Sequence, residues 1–144
     1  MLQEIEESAA QPKLSALSQS SCFVCGSENP RGLHLRFERT ESGEMTANWT
    51  PDAELEGFRG IIHGGMITTV LDESMAKAVS VTGVEALTAE LRVRLRRHVA
   101  TGSRVRVRGW VESRNKRMIK AEAALTAPDQ TEFAHAWATF LVLK

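Results

Sequence analysis

The sequence lacks the features that mark membrane and secreted proteins. No uninterrupted apolar run approaches the roughly 20 residues that span a bilayer. The first residues, MLQEIEESAAQPKL, are acidic and polar, whereas a secretory signal is basic and then apolar. The formal net charge is zero, so the chain as a whole does not attract polyanions. We therefore expect a cytoplasmic protein that binds neither membrane nor nucleic acid.

Cysteine is scarce, and both cysteines lie in one CxxC pair, Cys22 and Cys25. Such a pair can be redox-active, form half of a zinc site or consist of two small structural thiols. The Gly, Pro and Asn residues that follow predict a turn, whereas a thioredoxin-type pair opens a helix. Zinc would need two more ligands, from His34 nearby or from a second subunit. We interpret the pair first as structural thiols, with metal binding and redox chemistry as alternatives.

The length and composition fit one folded domain. The chain has 144 residues, of which 42% are hydrophobic, enough for a packed core without disulfide staples. Residues 1–21 are rich in Glu, Gln, Ser and Ala and predict a flexible N-terminal arm. Residues 22–144 form the predicted domain.

Hydrophobic periodicity predicts one helix among six strands. Alternation over 33–38 and 45–50 indicates a hairpin, and residues from about 64 to 81 repeat at helical spacing with apolar or small side chains nearly all round. The later strands contain the alternating apolar residues Leu91, Val93 and Leu95, then Val105, Val107, Gly109 and Val111, then Ile119, Ala121, Ala123 and Leu125, and finally the stretch 132–143.

The predicted order is β-β-α-β-β-β-β, which places the chain in the α+β class. The simplest packing wraps a long antiparallel sheet around the one central α-helix, and this is the hotdog fold. A helix wrapped on one side leaves a sheet edge and a helix surface uncovered. Pairing of two copies covers both, so we expect a homodimer or a dimer of dimers.

The helix entrance carries the residues with the clearest chemical potential. Gly64 and Gly65 let a ligand approach the backbone closely, and the unpaired N–H groups of a first helical turn suit a carbonyl oxygen that gains negative charge. His63 could orient such a site or bind substrate, or it could only cap the helix. The two glycines taken alone support no more than a loop-to-helix turn.

Asp72 is unusual because it lies in a helix that the pattern predicts to be largely buried. A buried carboxylate must be paired or functional. It could activate water as a general base, or it could accept a hydrogen bond from Thr68 or Thr69 one turn back. Glu73 has the spacing of an ion pair with Lys77, and we expect it at solvent or at an interface.

The stretch GIIHGGMITTVLDESM resembles the signature of phenylacetate-pathway (PaaI) type hotdog acyl-CoA thioesterases. Members of that family carry HGG and an acidic residue nine positions after the His, here His63 and Asp72. The segments CFVCGSENPRGLHLRF and LTAELRVRLRRHV are also similar to segments of family members, so the resemblance covers roughly residues 22–143.

The resemblance implies hydrolysis of an acyl-CoA thioester without an organic cofactor or a metal. The N–H of Gly65 would polarise the carbonyl, and Asp72 of the neighbouring subunit would activate water or attack directly. Thr88 matches the position of a Ser or Thr that helps to hold the water, or it is an ordinary strand residue. Residues expected to contact substrate are Gly64, Met66 and Glu73, with His63 completing the catalytic set.

One departure from the family pattern leaves room for other functions. Relatives often carry an Asn or Gln shortly before the His, and residues 54–59 here contain no amide side chain. A non-catalytic acyl-CoA binding or sensing protein is therefore the alternative. A hotdog dehydratase is less favoured because its usual Asp-to-His spacing of five residues is missing. A purely structural oligomer would leave Asp72 unexplained.

Basic residues crowd the second half of the chain. They alternate along the predicted strands, so most should share the outer face of the sheet. A solvated face is the simpler interpretation, and a binding surface for the phosphates of coenzyme A is the functional one. Nucleic acid is not favoured, since no recognition motif is present. The residues are Arg92, Arg94, Arg96, Arg97, Arg104, Arg106, Arg108, Arg114, Lys116, Arg117 and Lys120.

Overall fold

The computed structural model describes residues 19–143, so most of the predicted N-terminal arm over residues 1–21 lies outside the described residues. The elements follow the predicted order. They are β1 (Glu38–Arg39), β2 (Met45–Trp49), α1 (Gly64–Ser80), β3 (Ala86–Leu95), β4 (Val105–Arg114), β5 (Met118–Thr126) and β6 (Glu132–Val142), with a short 3-10 helix at Ala53–Leu55. Within this part of the chain, no helix is both long enough and apolar enough to cross a membrane.

All six strands join one antiparallel sheet in the order β1-β2-β4-β5-β6-β3. The last strand, β6, lies between β5 and β3, which explains why its sequence is apolar at both faces near its end. Strand β3 pairs with β6 on one side only and forms an edge of the sheet within the described chain. The predicted hotdog fold, one central helix against a long antiparallel sheet, is confirmed.

The helix packs into the concave face of the sheet. Val70, Leu71 and Met75 are fully buried on the side that faces the strands. At the closest point, strand β4 has Gly109, where an added Cβ would overlap the backbone carbonyl of Ser74. The helix and sheet therefore meet backbone to backbone at this position, and any side chain would push them apart.

The first predicted strand is much shorter than expected. Leu33 and Leu35 donate their backbone N–H groups to the carbonyls of Phe23 and Val24, at 2.8 Å each, rather than to β2. His34 between them has a left-handed φ of 55°, which a regular strand does not allow. The alternation of 33–38 reflects burial against the preceding loop, so its interpretation as a full strand was wrong.

Replacing Gly109 by alanine tests the close approach of helix and sheet. We expect Gly109→Ala to lower the free energy of unfolding by about 1–3 kcal/mol, because the new methyl group forces α1 away from β4. Urea denaturation followed by circular dichroism measures the change. Ser113→Ala, at an exposed position of the same strand, is the control and should change stability little. Equal stability of both variants would contradict this packing.

Candidate active site

The entrance of α1 is capped by the side chain of His63. Its Nδ1 accepts a hydrogen bond of 2.8 Å from the N–H of Gly65. This is the same N–H group that the sequence predicts to polarise a substrate carbonyl. An added Cβ on Gly64 would lie 2.8 Å from the side chain of Leu95, which would have to shift. Met66 is half-buried and donates its N–H to the His63 carbonyl. A ligand carbonyl that uses the Gly65 amide must displace the imidazole.

A cleft of about 590 Å³ opens beside this entrance. Its apolar wall includes two notably exposed side chains, Phe58 (81% exposed) and Leu95 (49% exposed). Its rim is basic, with Arg96, Arg97 and His98 in one run after β3. The full lining is Gly57, Phe58, Ile61, Ile62, His63, Gly64, Ile67, Leu95, Arg96, Arg97 and His98. Such a cleft can hold an elongated ligand that is apolar along one side and anionic at one end.

Asp72 is half-buried on α1 and receives a hydrogen bond from strand β3. Thr88 donates its hydroxyl to Asp72 Oδ1 at 2.9 Å. Gly83, with a φ of 84°, reverses the chain after the helix, so β3 returns alongside α1 and presents Thr88 to the carboxylate. Burial raises the pKa of the Asp72 carboxyl above its ordinary value, the Thr88 hydrogen bond opposes the rise, and the Glu73 carboxylate adds to it.

The hydrogen bond that the sequence suggested between Asp72 and Thr68 or Thr69 is not formed. Thr68 and Thr69 donate their hydroxyls to the carbonyls of Gly64 and Gly65, one turn back along the helix. Neither threonine therefore holds the carboxylate. The hydrogen bond that the carboxylate accepts comes instead from Thr88 on β3.

Glu73 contacts the CxxC segment rather than its predicted ion-pair partner. Its Oε2 lies 2.8 Å from the Sγ of Cys22, while Lys77 donates to Gln19. The expected pairing of Glu73 with Lys77 was therefore wrong. Burial, together with the Cys22 thiol and the Glu73 carboxylate, raises the pKa of the Cys25 thiol to about 11.

The loop before His63, where relatives often carry an amide side chain, is organised by Glu56. Its carboxylate accepts hydrogen bonds from the Gly60 N–H at 3.0 Å and from the Thr101 hydroxyl at 2.6 Å. The Glu56 side chain thus shapes the loop itself. This partner could not be found from sequence, since Thr101 lies 45 residues away.

The arginines of the strands lie largely on the outer face, as predicted. Arg92 stacks over the ring of Trp137, with its guanidinium carbon 4.4 Å from the centroid, and Arg108 forms an ion pair with Glu44 at 3.1 Å. These partners fit the interpretation of a solvated face that balances acidic groups. The run after β3 places basic residues beside the helix entrance.

Asp72 and the Gly65 amide lie on the same side of α1 but not at the same place. Seven residues separate Asp72 from Gly65, nearly two full turns, so the two residues lie on almost the same side of the helix. At 1.5 Å per residue they are about 10 Å apart along the axis. One thioester carbonyl cannot contact both groups of the same chain.

Many solved structures share this fold, and three of them illustrate the range. A thioesterase superfamily protein superposes with a TM-score of 0.80 at 20% identity, covering 96% of this chain and 74% of the other. A Streptococcus mutans protein bound to acetyl-CoA gives 0.68 at 21% identity (75% and 87% covered). The PaaI protein of the Escherichia coli phenylacetic acid degradation operon gives 0.72 at 16% identity (78% and 81% covered).

The sequence comparisons identify the family. No curated protein matches the chain significantly in sequence. The family model for the thioesterase superfamily matches residues 59–134, which is more than half of the chain and includes the helix entrance, Asp72 and Thr88. The match and the hotdog architecture agree, and the chain belongs to the thioesterase superfamily.

Proposed function

We propose that this protein is a cytoplasmic enzyme that hydrolyses an acyl-CoA thioester to the free acid and coenzyme A. The observation that carries the proposal is the Asp72 carboxylate, half-buried on the central helix and held at one oxygen by Thr88. Membership of the thioesterase superfamily supports thioester hydrolysis in general. The acetyl-CoA bound to a structural neighbour supports coenzyme A as the thiol component.

In the proposed reaction Asp72 acts as general base. It takes a proton from a water molecule whose oxygen attacks the carbonyl carbon, and the carbonyl π electrons move to the oxygen. The tetrahedral intermediate then collapses, the C–S bond breaks, and the coenzyme A sulfur leaves with the proton returned from Asp72. In the alternative mechanism, Asp72 attacks the carbonyl carbon directly and displaces the coenzyme A thiolate. The resulting mixed anhydride is then hydrolysed by water.

The negative charge on the carbonyl oxygen would be stabilised by the entrance of the helix. The Gly65 N–H is the proposed donor, with the positive end of the helix dipole behind it. This amide is bonded to His63 Nδ1, so the substrate carbonyl takes the place of the imidazole. Gly64 keeps the backbone accessible, and Met66 lies in the same first turn beside the bound acyl group.

The separation of about 10 Å along α1 requires that Asp72 and Gly65 act on one substrate from different subunits. A homodimer meets this need if each helix entrance faces the middle of its partner's helix. The unpaired edge of β3, ten residues long, can extend the sheet into a second copy. We therefore propose a homodimer, or a dimer of dimers, with two composite active sites.

Substitution of Asp72 tests the general base. Asp72→Asn keeps the size of the side chain but cannot accept a proton, and we expect kcat/KM to fall by about 10²–10⁴. The assay follows free thiol released from short, long and aromatic acyl-CoA esters. Asp129→Asn, at an exposed loop position, is the control and should keep full activity. If Asp72→Asn also hydrolyses at the original rate, the mechanism is wrong.

Mixed dimers test whether the site is shared. Gly65→Pro removes the amide donor in the first helical turn, where proline is tolerated, and each single variant should be inactive alone. A dimer that combines one Asp72→Asn chain with one Gly65→Pro chain has one complete site. It should recover about half the activity of the original dimer, since two sites are present in a two-fold assembly. Mixed dimers that stay inactive would contradict the shared site.

The basic run after β3 is the proposed contact for the phosphates of coenzyme A. We expect Arg97→Ala to raise KM about five- to tenfold with little change in kcat, because an exposed charge-assisted hydrogen bond contributes about 1 kcal/mol. Arg114→Ala, at the opposite end of the sheet, is the control. The effect should vanish with an acyl-pantetheine substrate, which lacks the phosphates. An equal effect on both substrates would contradict the assignment.

A non-catalytic acyl-CoA binding protein is the second candidate. Two observations favour it: residues 54–59 hold no amide side chain, and the Gly65 amide is already bonded to His63. A binding protein would bind one acyl-CoA ester tightly and release no thiol from any member of the panel. That outcome would replace the thioesterase proposal.

A further inference from the structure

Two distant parts of the chain bring three metal-binding side chains together away from the helix entrance. They are the thiols of Cys22 and Cys25 and the carboxylate of Glu73, and their ligand atoms lie within 4.8 Å of one another. Cys22 Sγ is 2.8 Å from Glu73 Oε2. No step of the proposed hydrolysis is assigned to the two thiols, which leaves the cluster open to another role.

The CxxC loop is built to hold both thiols on one side. The Gly26 N–H donates to the Cys22 carbonyl at 2.8 Å and closes a tight turn around the pair. A Cβ on Gly26 would overlap the backbone of Cys22, so the turn depends on glycine. Val24, between the cysteines, is buried in the core and anchors the loop there. The two thiols are thus directed toward Glu73 by backbone structure.

Charge and ligand type favour a divalent cation of intermediate softness. Two thiolates and one carboxylate carry three negative charges, and a divalent cation together with the ammonium of Lys77, which lies beside Cys25, neutralises them. Thiolate and carboxylate ligands suit Zn²⁺, whereas Mg²⁺ and Ca²⁺ prefer oxygen alone. His34, the nearby ligand suggested by the sequence, is instead hydrogen-bonded to the Asn29 carbonyl at 2.6 Å.

We propose that Cys22, Cys25 and Glu73 bind Zn²⁺, with the fourth tetrahedral position taken by water. On binding, each thiol loses its proton to solvent and no electron is transferred. The ion would join the N-terminal loop to the middle of α1, linking residues 51 positions apart in the chain. Glu73 is adjacent to Asp72 in sequence but projects about 100° away around the helix, so the role proposed for the ion is structural.

Metal titration tests the site directly. The reduced, metal-free protein is titrated with Zn²⁺ against a chromophoric chelator, and Co²⁺ serves as a spectroscopic probe of thiolate ligation. We expect one ion per chain, a sulfur-to-cobalt charge-transfer band and a higher midpoint of thermal unfolding with Zn²⁺. Cys22→Ser and Cys25→Ser should each lose the band and weaken binding at least about tenfold.

Matched variants show whether the carboxylate is a ligand or only a neighbour of the two thiols. Glu73→Gln keeps both thiols and should still weaken binding about tenfold or more, which also decides the question if the serine variants do not fold. His34→Ala and Glu41→Gln should bind Zn²⁺ as the original chain does. The proposal is overturned by unchanged affinity in Glu73→Gln, by the absence of the charge-transfer band, or by one ion per two chains, which would mean that two CxxC pairs share it. None of these readouts depends on hydrolytic activity.

Discussion

The contact between α1 and the concave face of the sheet decides where every other feature of this protein lies. Because Val70, Leu71 and Met75 are buried against the strands, the rotation of the helix about its axis is fixed. Asp72, Glu73 and the first helical turn therefore lie on the other sides of the helix. There Asp72 contacts β3, Glu73 contacts the CxxC loop, and the first turn borders the cleft. The chemistry of the chain thus depends on one packing interaction that contains no catalytic group.

Much of the architecture could be predicted from periodicity alone, because burial on one face imposes a repeat of two on strands and of 3.6 on a helix. The helix over residues 64–81 and the last two strands were predicted nearly to their ends, whereas β3 begins five residues before the predicted alternation at Leu91 and β4 extends three residues beyond Val111. The segment 33–38 was not, since its apolar residues alternate in the same way while their backbone hydrogen bonds go to the CxxC loop. The pattern of apolar side chains indicates which residues are buried, but it does not indicate which segment supplies their backbone hydrogen-bond partners.

The candidate site could be predicted in its residues but not in its contacts. The HGG-to-Asp spacing predicts the roles of Gly65 and Asp72, which stay predictions, and the resemblance indicated Thr88, whose hydroxyl bonds to Asp72. The helical spacing predicted the wrong partner for Glu73, because an interaction between residues four apart competes with contacts from distant parts of the chain. Its partner, Cys22, is 51 residues away and could be found only once the N-terminal loop is packed on the helix.

Because Gly109 has no side chain, the spacing between α1 and β4 limits how this protein can change by mutation. Backbone atoms alone set the spacing between helix and β4 at that point, so mutation of the surrounding core cannot widen or narrow it gradually. Under the proposed function, a change of acyl group would therefore be accommodated by residues elsewhere, such as the exposed Phe58 and Leu95 of the cleft. The residues that line the cleft are thus separate from those that set the framework geometry, and one set can vary in evolution while the other is retained.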